Sequence, residues 1–165
     1  MINFSVTQNG EELLKEKYLW DEKTLTFLTE ESNLVLNFSN INEVSFKTGN
    51  NCSFHTGKNC TFYTGWDCTF NTLSNCTFKT GRNCIFHTSW DCTFSTGGDC
   101  TFNTSRDCTF KTGSYCTFII SRDCTFKTGE NCVIVRKDVF KVMKLKENQK
   151  IRLNEWTVKG YEVIR

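Results

Sequence analysis

From Val44 to Asn131 apolar and polar positions recur in one eight-residue phrase, Cys-Thr-Phe-x-Thr-Gly-x-Asn/Asp. Cysteine stands at Cys52, Cys60, Cys68, Cys76, Cys84, Cys92, Cys100, Cys108, Cys116, Cys124 and Cys132. Phenylalanine holds the third slot of every octad from Phe46 to Phe126. Cys, Phe and the second Thr are two apart and share a face, while the first Thr and the variable residue point the other way, which is the period of a strand. Gly-x-Asn/Asp is turn chemistry. Gly supplies a positive φ at low cost, and Asn or Asp tolerates left-handed backbone and bonds its own main chain. The β-branched and aromatic content, without a 3.6-residue period, excludes a helix. Strand plus turn at a fixed short period predicts a β-solenoid, whose units bury their apolar face by stacking on their neighbours.

The sixth and fourth positions set the number of octads per coil. Gly49, Gly65, Gly81, Gly97, Gly113 and Gly129 occupy the sixth slot in alternate octads, against Gly57, Leu73, Ser89, Ser105 and Ser121 in the others. The fourth slot splits in step, with Lys47, Tyr63, Lys79, Ser95, Lys111 and Lys127 in one class and His55, Asn71, His87, Asn103 and Ile119 in the other. A true period of sixteen produces this split and a three-sided coil of twenty-four does not. The chain is therefore read as all-β, a two-sided parallel β-solenoid of sixteen-residue coils with two sheets back to back, a glycine edge and a serine edge. Central Phe should face central Phe across a thin core, with Cys near the Thr that ends the opposite strand. Coils should rise about 4.8 Å, and each buried Phe contributes about 1.5–3 kcal/mol.

The reading divides one continuous domain into an N-terminal cap over 1–35, a solenoid over 36–147 and a C-terminal capping hairpin over 148–165. In the cap, Glu11 to Leu19 could form a short helical turn, and Tyr18–Trp20 with Thr24–Thr29 a hairpin. Solenoid ends expose unpaired strand edges, which such segments would cover. The octad is expected to fade in through Leu36-Asn37-Phe38 and Val44-Ser45-Phe46, with Leu36 and Val44 in the cysteine slot. It is expected to fade out through Cys132-Val133-Ile134 and Phe140-Lys141-Val142, giving seven coils.

Formal net charge is +2 but uneven: −4 over residues 1–50, +1 over 51–131 and +5 over 132–165. The basic tail could favour an acidic partner, although a solvated face is the plainer reading. The N-terminal residues carry no basic region followed by an apolar one, and no run approaches membrane-span length. These features lead us to expect no signal-directed secretion, no membrane, and a place in the cytoplasm of a host cell or on a virion, with reduced thiols.

The cysteines invite disulfide or metal chemistry. Same-face cysteines are sixteen apart, so their Cβ atoms should stack about 4.8 Å apart, longer than the roughly 3.8 Å a disulfide prefers. The paired spacing of zinc ligands is missing. A thiol ladder can take up soft metals, yet it does not converge on a point, and free thiols packing as small hydrophobes are the expected state, with no cofactor. Asp67, Asp91, Asp99, Asp107 and Asp123 resemble the acids of calcium-binding solenoids, but those use nine-residue units; turn capping fits better. His55 and His87 lie two coils apart, too far to share an ion. A threonine ladder points outward, but lysine, tyrosine, histidine and asparagine occupy the second outward slot, unlike the flat uncharged face of ice-binding solenoids. Lys47, Lys79, Lys111 and Lys127 line one sheet and form the candidate partner face; with Arg82 they could meet phosphates or an anionic polymer. Trp66 and Tyr115 on one edge and Trp90 on the other form no single stacking platform. No nucleophile elbow, P-loop, dinucleotide fingerprint or paired zinc ligand is present, and no catalytic residue is assigned.

The phrase Cys-Thr-Phe-x-Thr-Gly-x-Asn/Asp resembles octapeptide-repeat proteins of bacteriophage genomes. So do Asn131-Cys132-Val133-Ile134-Val135-Arg136-Lys137-Asp138-Val139-Phe140, Met1-Ile2-Asn3-Phe4-Ser5-Val6 and the Trp20-Asp21 region. Leu73, Ile120 and Tyr115 depart from the phrase. The resemblance implies a phage or prophage origin and brings no activity or site residues with it. The leading functional reading is a non-enzymatic structural or interaction module, a stiff rod meeting an unknown protein partner. The alternatives are an electrostatic nucleic-acid binder using the lysine face and the basic C-terminal cap, or a carbohydrate-directed tail protein.

Overall fold

The computed structural model describes residues 4–138, 141–154 and 160–164. In chain order the strands open with β1 (Ser5–Gln8), β2 (Glu11–Glu12), β3 (Leu19–Asp21), β4 (Thr26–Leu28) and β5 (Leu34–Phe38), with a single 3-10 turn at Lys15–Lys17. The octads supply β6 (Ser45–Lys47), β7 (Ser53–Thr56), β8 (Thr61–Tyr63), β9 (Thr69–Asn71), β10 (Thr77–Lys79) and β11 (Ile85–His87). They continue with β12 (Thr93–Ser95), β13 (Thr101–Asn103), β14 (Thr109–Lys111), β15 (Thr117–Ile120), β16 (Thr125–Lys127) and β17 (Val133–Arg136). The chain closes with β18 (Lys141–Lys144), β19 (Ile151–Leu153) and β20 (Tyr161–Val163).

Odd strands from β5 to β17 form one parallel sheet and even strands from β4 to β16 the other. Each circuit therefore uses one strand of each sheet. Successive strands of a sheet pair in register sixteen residues apart, Phe78 beside Phe94 and Phe86 beside Phe102. The result is the two-sided parallel β-solenoid of sixteen-residue coils, with seven coils.

The core is a double column of rings. From Phe46 to Phe126 same-sheet rings stack with centroids 4.8–5.1 Å apart and planes within 7° of parallel. Rings of facing sheets meet edge to face; Phe86, for example, lies 5.2 Å from both Phe78 and Phe94. Offset stacks and T-shaped pairs both suit the ring quadrupole, and alternating them fills a layer one side chain thick. All these rings and all eleven cysteines are buried.

The corners divide their work differently from the sequence expectation. The left-handed conformation falls on the eighth residue, from Asn51 (φ 52°) through Asp67 (φ 59°) and Asn83 (φ 59°) to Asn131 (φ 55°). The glycine of the phrase has ordinary φ, and closeness is what it provides. A Cβ on Gly81 would lie 3.0 Å from the carbonyl carbon and oxygen of Gly65 and 3.1 Å from the Trp66 nitrogen. Those are main-chain atoms of the coil below, which cannot swing aside.

Both ends depart from the expected register. Parallel pairing already begins at β4, where Phe27 sits beside Phe46, so the ladder reaches back to Thr26. Leu36 pairs with Phe54 and Phe38 with Thr56. Leu36 thus fills the phenylalanine slot rather than the cysteine slot, which corrects the expected register. The loop between Phe38 and Val44 holds two residues more than an octad corner, and that excess shifts β5 while leaving Phe38 edge-to-face on Phe46 at 5.0 Å. At the other end β18 runs antiparallel to β17, with Val142 opposite Val135. Phe140-Lys141-Val142 is therefore no further octad, and Phe140 itself lies outside the described residues. The octad from Cys132 to Val139 lacks Gly or Ser at its sixth position and Asn or Asp at its eighth, so the solenoid corner gives way to a reversal.

Antiparallel strands close the sheet edges. β1 pairs with β5 and β2 with β1, β3 pairs with β4, and β19 pairs with β16 and β20 with β19. Phe4 stacks on Phe38 at 4.3 Å, and Tyr18 on Phe27 at 5.1 Å, sealing the first coil. At the far end Arg136 stands in the threonine slot beside Ile120, 1% exposed. Its guanidinium forks onto the Asp138 carboxylate and donates to the carbonyl oxygens of Asn154 at 2.9 Å and Gly160 at 3.1 Å. Among the described residues, no helix is long and apolar enough to cross a membrane.

Candidate functional site

The even-numbered sheet presents its second and fourth octad positions to solvent. Register places Lys47, Tyr63, Lys79, Ser95, Lys111 and Lys127 in one continuous column across β6, β8, β10, β12, β14 and β16. Ser45, Thr61, Thr77, Thr93, Thr109 and Thr125 run beside it as a second column. The coil repeat, read from the ring stacks, puts Lys47 and Lys79 about two coils apart, and Lys79 and Lys111 likewise, while Lys111 and Lys127 are on adjacent coils. All four lysines are exposed, and neither column contains an acid. Among the described residues none of the four makes an ion pair; Lys79 lays its ammonium 5.3 Å from the Tyr63 ring centre. The face is a line of cations on a hydroxyl-rich sheet, and its charge attracts anions.

The other sequence candidates are scattered. His55 and His87 occupy the outer column of the odd sheet with Asn71 between them. Lys137 donates to the Asn103 side-chain oxygen at 2.6 Å on the same face. The corner acids act as left-handed backbone residues, and Asn83 bonds the Asp67 carboxylate one coil away. Among the described residues no group of three or more His, Cys, Asp or Glu could hold a metal ion between them.

Two features escaped the sequence reading. Arg82 covers the Trp66 ring at 5.6 Å and Arg106 covers Trp90 at 5.4 Å. Trp66, Arg82, Asp67, Asn83 and Asp99 line a shallow open groove of about 510 Å³ on the glycine edge. In both pairs an arginine follows a tryptophan sixteen residues on, a signal that the coil period could have revealed. The second feature is Arg136, for which no octad precedent exists.

Comparison with known proteins finds no matching family, no matching curated protein and no matching solved structure.

Proposed function

We propose that this chain is a non-enzymatic interaction rod whose lysine-bearing sheet docks a protein partner through carboxylates. The observation that carries this reading is the acid-free column of Lys47, Lys79, Lys111 and Lys127 held in register on one rigid sheet. Repeated cations on a stiff frame lose little conformational freedom on binding, and their summed field steers an acidic surface into register. The likeness of the phrase to phage octapeptide repeats supports a setting on a virion or in the cytoplasm of an infected host.

Zero-length carboxyl-to-amine coupling in an extract of the native host tests the proposal. Wild-type protein should be joined to a defined partner through these four lysines. The variant carrying Lys47→Ser, Lys79→Ser, Lys111→Ser and Lys127→Ser should lose that partner; Ser95 already occupies this column. Unchanged capture by the variant would overturn the reading. Duplex DNA bound with log K falling by about 3–4 per tenfold rise in salt, and lost in the same variant, would replace the protein partner with a nucleic acid.

A further inference from the structure

The eleven thiols form two columns. Cys52, Cys68, Cys84, Cys100, Cys116 and Cys132 lie along the glycine edge, and Cys60, Cys76, Cys92, Cys108 and Cys124 along the serine edge. Every sulfur takes the same place in its coil. Each lies 3.2–3.6 Å from the carbonyl oxygen two residues back, shown by Cys52 at 3.2 Å, Cys84 at 3.4 Å and Cys132 at 3.6 Å. From the second coil on, each also lies near the carbonyl nineteen residues back, at 3.8 Å for Cys84 and 3.9 Å for Cys100. Successive sulfurs are therefore related by the coil repeat, which the ring stacks put at 4.8–5.1 Å. An atom midway between two of them sits about 2.4–2.5 Å from each, close to the roughly 2.3 Å of a metal–thiolate bond.

We propose that these columns bind soft monovalent d10 cations, copper(I) or silver(I), each ion held in a line between two stacked sulfurs. Soft thiolate sulfur selects such ions, and they accept two-coordinate linear geometry. Zinc needs four convergent ligands, which among the described residues are not present. The exchange is balanced. One cation enters, one thiol proton leaves to solvent, a bond forms from the metal to that sulfur, and the neighbouring thiol donates a lone pair while keeping its proton. No electron is transferred and the buried pair stays neutral, which matters because an uncompensated charge in this core would be costly.

Two features of the corner prepare for the exchange. The side-chain oxygens of Thr56, Thr64, Thr88 and Thr128 are buried without a hydrogen-bond partner, and they stand beside Cys60, Cys68, Cys92 and Cys132, where each hydroxyl can donate to a thiolate. Neighbouring thiols also shift one another's acidity along the column. Cys68 and Cys100 are held below the usual thiol range chiefly by the cysteines stacked on either side of them, while Cys84 between them is pushed up by the same neighbours and by burial. Along the glycine edge Cys68, Cys100 and Cys132 are thus the sulfurs disposed to lose a proton.

Silver(I) titrated into the folded protein in chloride-free buffer tests this. The expected result is five ions per chain, three in the column of six and two in the column of five. One proton should be released per ion, with an unchanged strand circular-dichroism spectrum and a raised thermal midpoint. The double variant Cys84→Val/Cys100→Val should take up four, and Val44 shows that this slot accepts valine. Fewer than four ions in the wild type, uptake without matching proton release, or uptake only with loss of the strand spectrum would overturn the proposal. So would loss of uptake in His55→Gln/His87→Gln with the folded double valine variant unaffected. Should the valine variant not fold, the ion and proton counts of the wild type decide alone.

Discussion

At each solenoid corner a single residue carries the left-handed backbone, and its identity is where the octad is most exacting. Thirteen corners from Asn33 to Asn131 adopt φ between 52° and 65°, and only Glu43 and Tyr115 do so without Asn or Asp. Asn and Asp reach this region because their short polar side chains bond locally, whereas a larger side chain pays about 1–2 kcal/mol. Tyr115→Asn should therefore stabilise the fold by about 1 kcal/mol. An upward shift in the urea midpoint with unchanged slope checks it, and a lower midpoint would contradict the assignment of strain. The phrase itself advertised both Gly and Asn/Asp as turn residues. Which of them took the positive φ was hidden, because either can do so; contact with the neighbouring coil settles it, and that contact is nonlocal.

At the scale of the strand, stability comes from the ring columns and from the closure of the ends. Phe86 is fully buried, stacked at 4.9 Å on Phe70 and at 4.8 Å on Phe102. Phe86→Ala should cost about 3–5 kcal/mol, since stacked coils cannot collapse around the gap; an unchanged melting temperature would contradict the packing. Arg136→Ala removes a buried guanidinium from Asp138 and from two carbonyls of the terminal segment. Breaking such a pair costs about 3–5 kcal/mol. The loss should be local: faster amide exchange in β19 and β20 with β8 to β14 unaffected. The repeat made every central strand legible, because one residue type per slot leaves a single register. The ends were less legible. Leu34, Leu36 and Phe38 alternate equally well in two registers, and two extra loop residues decided between them. The reversal into β18 could be read only as the loss of corner residues, and the arginine clasp had no sequence signal at all.

For the molecule as a whole, an odd number of octads reverses the faces and an even number preserves them. The lysine column exists only because Lys47, Lys79, Lys111 and Lys127 are separated by multiples of sixteen residues. The four were legible as one face for the same reason, whereas the proposed partner was not, because an exposed column of like residues does not specify the chemistry opposite it. Two duplications separate the frame from its function. Repeating Cys84–Asp91 once inserts one octad, refills every interior slot, and moves Lys111 and Lys127 to the opposite sheet. Repeating 68–99 inserts two whole coils and keeps all lysines, with one more, in a single line. The decisive measurement is partner capture by these two proteins, each first shown to be folded by its strand spectrum. The expected result is capture retained by the two-coil duplication and lost by the single-octad duplication; equal capture by both would contradict the docking of a partner on an unbroken lysine column.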